Sequence, residues 1–213
     1  MNFQPLKYIY RSSGNPEANT LLLLHGTGGD ETDLLSLADE FGTGFNILSL
    51  RGNVLEGGMP RFFKRLSMGV FDEKDIAFRT DEMVSFINEL SVKEGFNSSK
   101  IIALGYSNGA NIAGATLLKY PDFFAGAILF RPMQPFKQVE LTASTISAPL
   151  FLSSGKFDPT VDPNHTQAYL SLLEQAGFEV NHYEIGTSHN LTQEDVRLAV
   201  EWFNKRFGHS VAS

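Results

Sequence analysis

The sequence predicts an α/β fold, a mostly parallel central sheet with helices on both faces, and three observations carry that prediction. Short apolar runs rich in Leu and Ile alternate with longer segments whose apolar residues recur every three to four positions. Those short runs are apolar nearly throughout, which suits strands buried on both sides. At 213 residues and 42% hydrophobic composition, the chain can bury one large core but would be small for two. Residues 1–213 are therefore read as a single domain.

Taken in order, residues 6–11 and 20–24 read as strands, separated by the turn-rich Ser12-Ser13-Gly14-Asn15-Pro16. Residues 30–41 read as a helix and 46–50 as a short apolar strand. A glycine-rich, aromatic segment follows at 51–71. Ile76, Met83, Val84, Ile87 and Leu90 give residues 76–92 helical spacing. Residues 100–104 form a strand, and 110–120 a helix that stops near Pro121. Strands follow at 126–130 and 149–153. A helix at 163–175 ends before Gly177, and strand 179–185 and helix 191–207 complete the alternation. In such a sheet the ligand site lies beyond the carboxyl ends of the strands.

Composition excludes several function classes. The net charge of −7 gives no electrostatic footprint for nucleic acid, and no basic run resembles a membrane anchor. With no cysteine, disulfides, thiolate metal sites and cysteine nucleophiles are excluded. Residues 1–10 lack an apolar signal core, and Leu21 to Leu24 is far too short to span a bilayer. A cytoplasmic protein without membrane anchoring, a monomer or homodimer, is expected.

The chemistry centres on Gly105-Tyr106-Ser107-Asn108-Gly109, a G-x-S-x-G pattern between a strand and a helix. A sharp strand-to-helix turn lifts the serine out of the sheet, where a base and a substrate both reach it. Small residues two positions before and after leave room for that turn. In this architecture an acid and then a histidine follow, each after a later strand. Asp158 follows strand 149–153, and His189 follows strand 179–185. His189 is then the base for Ser107, and Asp158 orients its imidazole.

Asp162 is the alternative acid, but Pro163 and a helix follow it, so it reads more plainly as an N-cap. His165, His182 and His209 read as ordinary surface or packing residues. No histidine pair has helical metal-ligand spacing with a third ligand at hand, so neither metal nor cofactor is expected. The backbone N–H groups of Asn108 and Thr27 supply an oxyanion hole, the latter from the loop His25-Gly26-Thr27-Gly28-Gly29. His25 reads as a loop-shaping residue.

This arrangement resembles the α/β-hydrolase superfamily, and within it the small phospholipase/carboxylesterase group that includes acyl-protein thioesterases and dienelactone-hydrolase-like proteins. The resemblance rests on Leu24-His25-Gly26-Thr27-Gly28-Gly29-Asp30, on the Ser107 motif, on Gly155-Lys156-Phe157-Asp158-Pro159 and on Ser188-His189-Asn190, and extends from residue 20 to the last helix. The segment from Arg51 to Phe63 is similar to a bacterial branch some of whose members are associated with quinone or hydroquinone detoxification. The resemblance implies an esterase and an aromatic substrate. Two departures shape the expectation: dienelactone hydrolases carry cysteine where this chain has Ser107, and the thioesterases carry glutamine where it has Asn108.

Residues 51–74 form a long connection of the kind that builds lids and binding loops. Met59, Phe62, Phe63, Met68 and Phe71 are expected to line a substrate pocket there. Arg61, Lys64, Arg65 and Arg131 read as a solvated charged face that could meet a substrate carboxylate. Between Phe130 and Pro149 only a short proline-containing stretch stands where larger relatives insert a cap, so an open pocket for small, soluble esters is expected. The sequence thus favours a serine carboxylesterase. A thioesterase, a lysophospholipase, a carbon–carbon bond hydrolase and a catalytically silent binding protein of the same fold are the alternatives.

Overall fold

The computed structural model describes residues 2–208. Strands β1 (Lys7–Arg11) and β2 (Thr20–Leu24) precede helix α1 (Leu35–Asp39) and strand β3 (Asn46–Arg51). Four short strands follow: β4 (Val54–Glu56), β5 (Met59–Arg61), β6 (Arg65–Ser67) and β7 (Val70–Phe71). Helix α2 (Glu73–Glu94) leads through a 3-10 turn to β8 (Ile101–Tyr106), α3 (Asn108–Lys119) and β9 (Gly126–Phe130). Then come β10 (Pro149–Gly155), α4 (Pro163–Gln175), β11 (Glu179–Ile185) and α5 (Gln193–Phe207).

Seven strands make one sheet in the order β1-β3-β2-β8-β9-β10-β11. Only β1 runs antiparallel to its neighbour; the other five pairings are parallel. Every residue of β2 and β9 is buried, as strands covered on both faces require. Successive residues of β2 divide between two cores. Leu22 and Leu24 join Ile112, Leu117 and Leu173 on one face, while Leu21 and Leu23 join Ala38, Trp202 and Phe203 on the other.

The chain passes from β2 outward to β3, then returns to place β8 on β2's other side, with Leu24 opposite Gly105. Strand order therefore reverses between β2 and β8. The loops leaving these two strands diverge there and open the crevice in which doubly wound sheets bind ligands.

Three local expectations are corrected. Residues 30–41 are not one helix: Asp30 Oδ1 accepts from the Thr32 N–H at 2.8 Å, a local turn that competes with helix initiation, and α1 keeps only five residues. Residues 51–71 are patterned, as hairpins β4–β5 and β6–β7. In the first, Gly57 and Gly58 both have positive φ, 57° and 82°, the backbone a two-residue hairpin turn needs. Finally α5 starts at Gln193 rather than 191, because Thr192 and Asp195 form a capping box. Residues 131–148 carry no helix or strand.

Candidate active site

β8 is apolar up to Gly105-Tyr106, and α3 begins at Asn108, so a single residue must turn the chain. Ser107 does so at φ 52° and ψ −111°, a left-handed conformation costly for any side-chain-bearing residue. Its N–H donates to the Phe130 carbonyl at 2.9 Å, which holds the turn against the end of β9. A Cβ on Gly105 would lie 2.6 Å from the Ala110 nitrogen, and one on Gly109 would strike the Leu24 carbonyl. Both glycines are thus demanded by close approach.

The structure brings Ser107, His189 and Asp158 together. Ser107 Oγ lies 2.8 Å from His189 Nε2, and His189 Nδ1 lies 2.6 Å from Asp158 Oδ2. The carboxylate fixes Nδ1 as the protonated nitrogen, which leaves Nε2 to accept from the serine hydroxyl. Burial alone would raise the Asp158 carboxyl, but hydrogen bonds from Thr160 and His189 outweigh it and hold it below the usual carboxylate range. Thr160 donates twice to Asp158 Oδ1, from its N–H at 2.8 Å and its hydroxyl at 2.6 Å. Thr160 belongs to no motif of its own. The Asp-x-Thr spacing, which forms a side-chain-to-backbone turn, was the available signal.

The competing residues lie elsewhere. Asp162 caps α4, accepting from the Asn164 N–H at 2.8 Å. His25 is buried, with Nδ1 2.6 Å from the Gly26 carbonyl and Nε2 accepting from the Gly52 N–H at 3.1 Å. Burial pushes its pKa down, so it is a neutral brace. His182 pairs with Ser154 at 2.8 Å on β11. His209 lies outside the described residues. Among the described residues, no three His, Asp or Glu side chains gather as a metal-ligand set.

Thr27 lies in the loop after β2 and Asn108 opens α3 after β8, and one segment ties both. Arg61 donates to Thr27 Oγ1 at 2.6 Å, the Gly28 N–H donates to the Pro60 carbonyl at 2.9 Å, and the Phe62 N–H donates to Asn108 Oδ1 at 2.7 Å. The backbone N–H groups of Thr27 and Asn108 find no acceptor among the described residues. Residues 60–62 therefore fix the spacing of the two predicted donors.

That role corrects the expectations for this segment. Phe62 and Phe63 are 3% and 0% exposed, packed in the core beneath the loop rather than lining a pocket, with Phe62 against the His25 ring at 4.7 Å. Arg61 is buried too: its guanidinium lies over the Phe63 ring, and its nitrogens reach the Phe63 carbonyl, Thr27 and the carboxylate of Glu56. Lys64 remains exposed, and Arg65 forks onto Glu56 at 2.6 and 2.9 Å. Met59 is exposed over Gly28. Met68 is exposed at the tip of the second hairpin.

Phe71 does line a cavity. Together with Val70, Met133, Phe136 and Tyr169 it encloses about 370 Å³, apolar in the main, between hairpin β6–β7, the loop after β9 and α4. Ser107, Asp158 and His189 are not in its wall. Its connection to them is through the loop after β9: the Met133 N–H donates to Asn111 Oδ1, one turn into the helix that Ser107 opens.

Arg131 also departs from expectation. It has no exposure, and its guanidinium forks onto the equally buried Asp195, with both contacts at 2.8 Å. An arginine directly after a fully apolar strand, at the carboxyl edge, was the signal that it belongs to the site's framework.

The family model described as Phospholipase/Carboxylesterase matches residues 9–206. MhqD of Bacillus subtilis strain 168, named as a hydrolase, is 44% identical over 200 residues, covering 94% of this chain and 98% of the relative. Among solved structures, the Bacillus cereus carboxylesterase superposes with a TM-score of 0.91 at 40% identity, covering 95% of each chain. YahD, solved with malic acid, gives 0.88 at 33% identity, covering 94% of this chain and 99% of its own. A match spanning nearly the whole chain, and including the Ser107, Asp158 and His189 segments, places this protein in the phospholipase/carboxylesterase family of the α/β-hydrolase fold.

Proposed function

We propose that the protein is a serine carboxylesterase that hydrolyses small esters through an acyl-enzyme. The single observation that carries this reading is the unbroken hydrogen-bond chain from Ser107 Oγ through His189 to Asp158. Ser107 Oγ attacks the ester carbonyl while His189 Nε2 takes its proton, and Asp158 stabilises the resulting imidazolium. The carbonyl oxygen becomes an oxyanion received by the N–H groups of Thr27 and Asn108. Collapse expels the alcohol, which takes the proton from His189. Water, deprotonated by His189, then attacks the acyl-serine; a second collapse releases the acid and returns the proton to Ser107.

The cavity beside Phe71 is at the lower end of the size range of small-molecule sites, roughly 300–1,000 Å³. It accommodates a short acyl chain or one aromatic ring, and the exposed Met59 forms a rim on the oxyanion side. The names of the relatives, carboxylesterase and hydrolase, agree with this chemistry.

The test is a panel of p-nitrophenyl esters from acetate to octanoate, with acyl-thioester and lysophospholipid arms, run beside Ser107→Ala. Turnover of short esters, abolished in the variant, with a fluorophosphonate mapped to Ser107, is the expected result. Faster turnover of thioester or lysophospholipid would reassign the substrate. Saturable binding with no turnover on any arm would leave a ligand-binding protein instead.

A further inference from the structure

Three consecutive backbone carbonyls in the loop that carries His189 are each gripped by a side chain from outside that loop. Ser188 O accepts from Arg131 Nε at 3.3 Å, His189 O from the Tyr106 hydroxyl at 3.1 Å, and Asn190 O from a terminal nitrogen of Arg131 at 3.0 Å. Tyr106 is the residue before the proposed nucleophile, and its ring centroid lies 5.7 Å from that of His189. Arg131 is the first residue after β9, the strand whose Phe130 carbonyl receives the Ser107 N–H.

Arg131 is arranged for this task. A guanidinium has five N–H donors in a fixed plane, and here they meet five acceptors. These are the Ser188 and Asn190 carbonyls, the Ser153 hydroxyl at 2.7 Å and both Asp195 oxygens. Asp195 is itself immobile, because its Oδ2 also accepts from the Thr192 N–H and hydroxyl at 2.9 and 2.8 Å. The arginine therefore ties the ends of β9 and β10, the first turn of α5 and the His189 loop into one plane. Even its backbone is committed, with φ at 54° and its N–H donating to the Ser153 carbonyl at 2.8 Å.

We propose that Tyr106 and Arg131 are positioning residues for His189. The inference rests on the reading of His189 as the base. Asp158 grips the ring, but a ring contact alone allows the imidazole to pivot about that hydrogen bond. Fixing the backbone on both sides of His189 removes the pivot and sets Nε2 against Ser107 Oγ. Because Tyr106 and Ser107 are adjacent, any shift of the elbow carries the base loop with it.

Tyr106→Phe and Arg131→Lys test this, with Ser107→Ala and His189→Ala as controls. The first deletes one hydroxyl and keeps the ring that packs on Gly26; the second keeps the charge facing Asp195 but cannot reach five acceptors. With p-nitrophenyl acetate well below the thermal midpoint, kcat should fall about tenfold in Tyr106→Phe and about 10²-fold in Arg131→Lys. KM should stay within about twofold. Fluorophosphonate labelling should reach full stoichiometry at a correspondingly reduced rate, a split that partial unfolding does not produce. Wild-type kcat and labelling rate in the folded variants, or losses that only track the folded fraction, overturn the proposal. Should Arg131→Lys fail to fold, Tyr106→Phe decides alone. Activity surviving in Ser107→Ala or His189→Ala sinks the catalytic reading itself, a distinguishable failure.

Discussion

Gly155→Ala asks how closely the base loop is seated. Gly155 ends β10 opposite Ile185, in extended backbone that alanine adopts without strain. A Cβ there would fall on the Ser188 carbonyl oxygen and within 2.9 Å of the Thr187 oxygen. Carbon and oxygen not directly bonded rest at about 3.3 Å or more, so the loop must retreat on the order of 1 Å. The Ser188 carbonyl immediately precedes His189, so the retreat is transmitted to the imidazole. Misplacing a catalytic group by about 1 Å costs roughly 10²-fold in rate, about 2.7 kcal/mol of barrier. The matched control is Gly186→Ala in the same loop, where a Cβ meets nothing within 4 Å. Steady-state kcat on p-nitrophenyl acetate, normalised to phosphonate-titrated sites, should drop about 10²-fold for the first and less than about twofold for the second. Equal losses in both, or an unchanged Gly155→Ala, would show that loop seating does not control the chemistry.

Asp158→Asn should lower kcat by roughly 10³ to 10⁴-fold, whereas Asp162→Asn, which replaces one good cap with another, should leave kcat intact; the reverse pattern would move the acid to Asp162. Phe63→Ala should cost about 3–5 kcal/mol of stability as a core truncation, read as a fall in Tm with unchanged kcat/KM ratios among acetyl, butyryl and octanoyl esters. Phe71→Ala should shift those ratios by several-fold, since it opens the cavity wall, and unshifted ratios would exclude this cavity from substrate binding. Acid stability follows Asp195: burial tends to raise its carboxyl, but hydrogen bonds from Arg131 and Thr192 hold it below the usual range. A depressed folded pKa stabilises above the unfolded value of about 3.9 and is lost as pH falls through the folded one. Asp195→Asn should therefore lower Tm at pH 7 and flatten the decline of Tm between about pH 5 and 2; an unaltered slope would refute the assignment.

Much of the candidate site was legible because it sits where strands end. β8, β10 and β11 are marked by apolar or β-prone runs, and Ser107, Asp158 and His189 are the reactive side chains that follow them. Burial of charge was not legible. Arg61 and Arg131 read as surface residues because an arginine is rarely fully buried unless paired; Glu56 reaches Arg61 only once hairpin β4–β5 has formed, and Asp195 lies 64 positions from Arg131. The hairpins at 54–71 escaped for a different reason. Their strands are two or three residues long, below the span at which alternation can be recognised, although Gly57-Gly58 and Met68-Gly69 marked both turns. Once those turns are seen, Phe62 and Phe63 no longer need a ligand to explain them, since the segment that spaces Thr27 from Asn108 requires an anchor.

The left-handed backbone at Ser107 and at Arg131 solves two halves of one problem. Each follows a parallel strand, each has φ near +50°, and each donates its N–H to a carbonyl near the carboxyl end of the next strand, at Phe130 and Ser153. Such a conformation costs on the order of 1–3 kcal/mol for a non-glycine residue and persists only where its surroundings hold it. At Ser107 it turns the hydroxyl out of the sheet toward the imidazole. At Arg131 the side chain turns in beneath the loop that carries the imidazole. A glycine at either position would relieve the backbone and lose the side chain that the turn exists to aim. With the strain at adjacent strand ends, the Ser107 hydroxyl and the His189 loop are referred to one rigid frame, that of neighbouring strands joined by 2.8–2.9 Å hydrogen bonds.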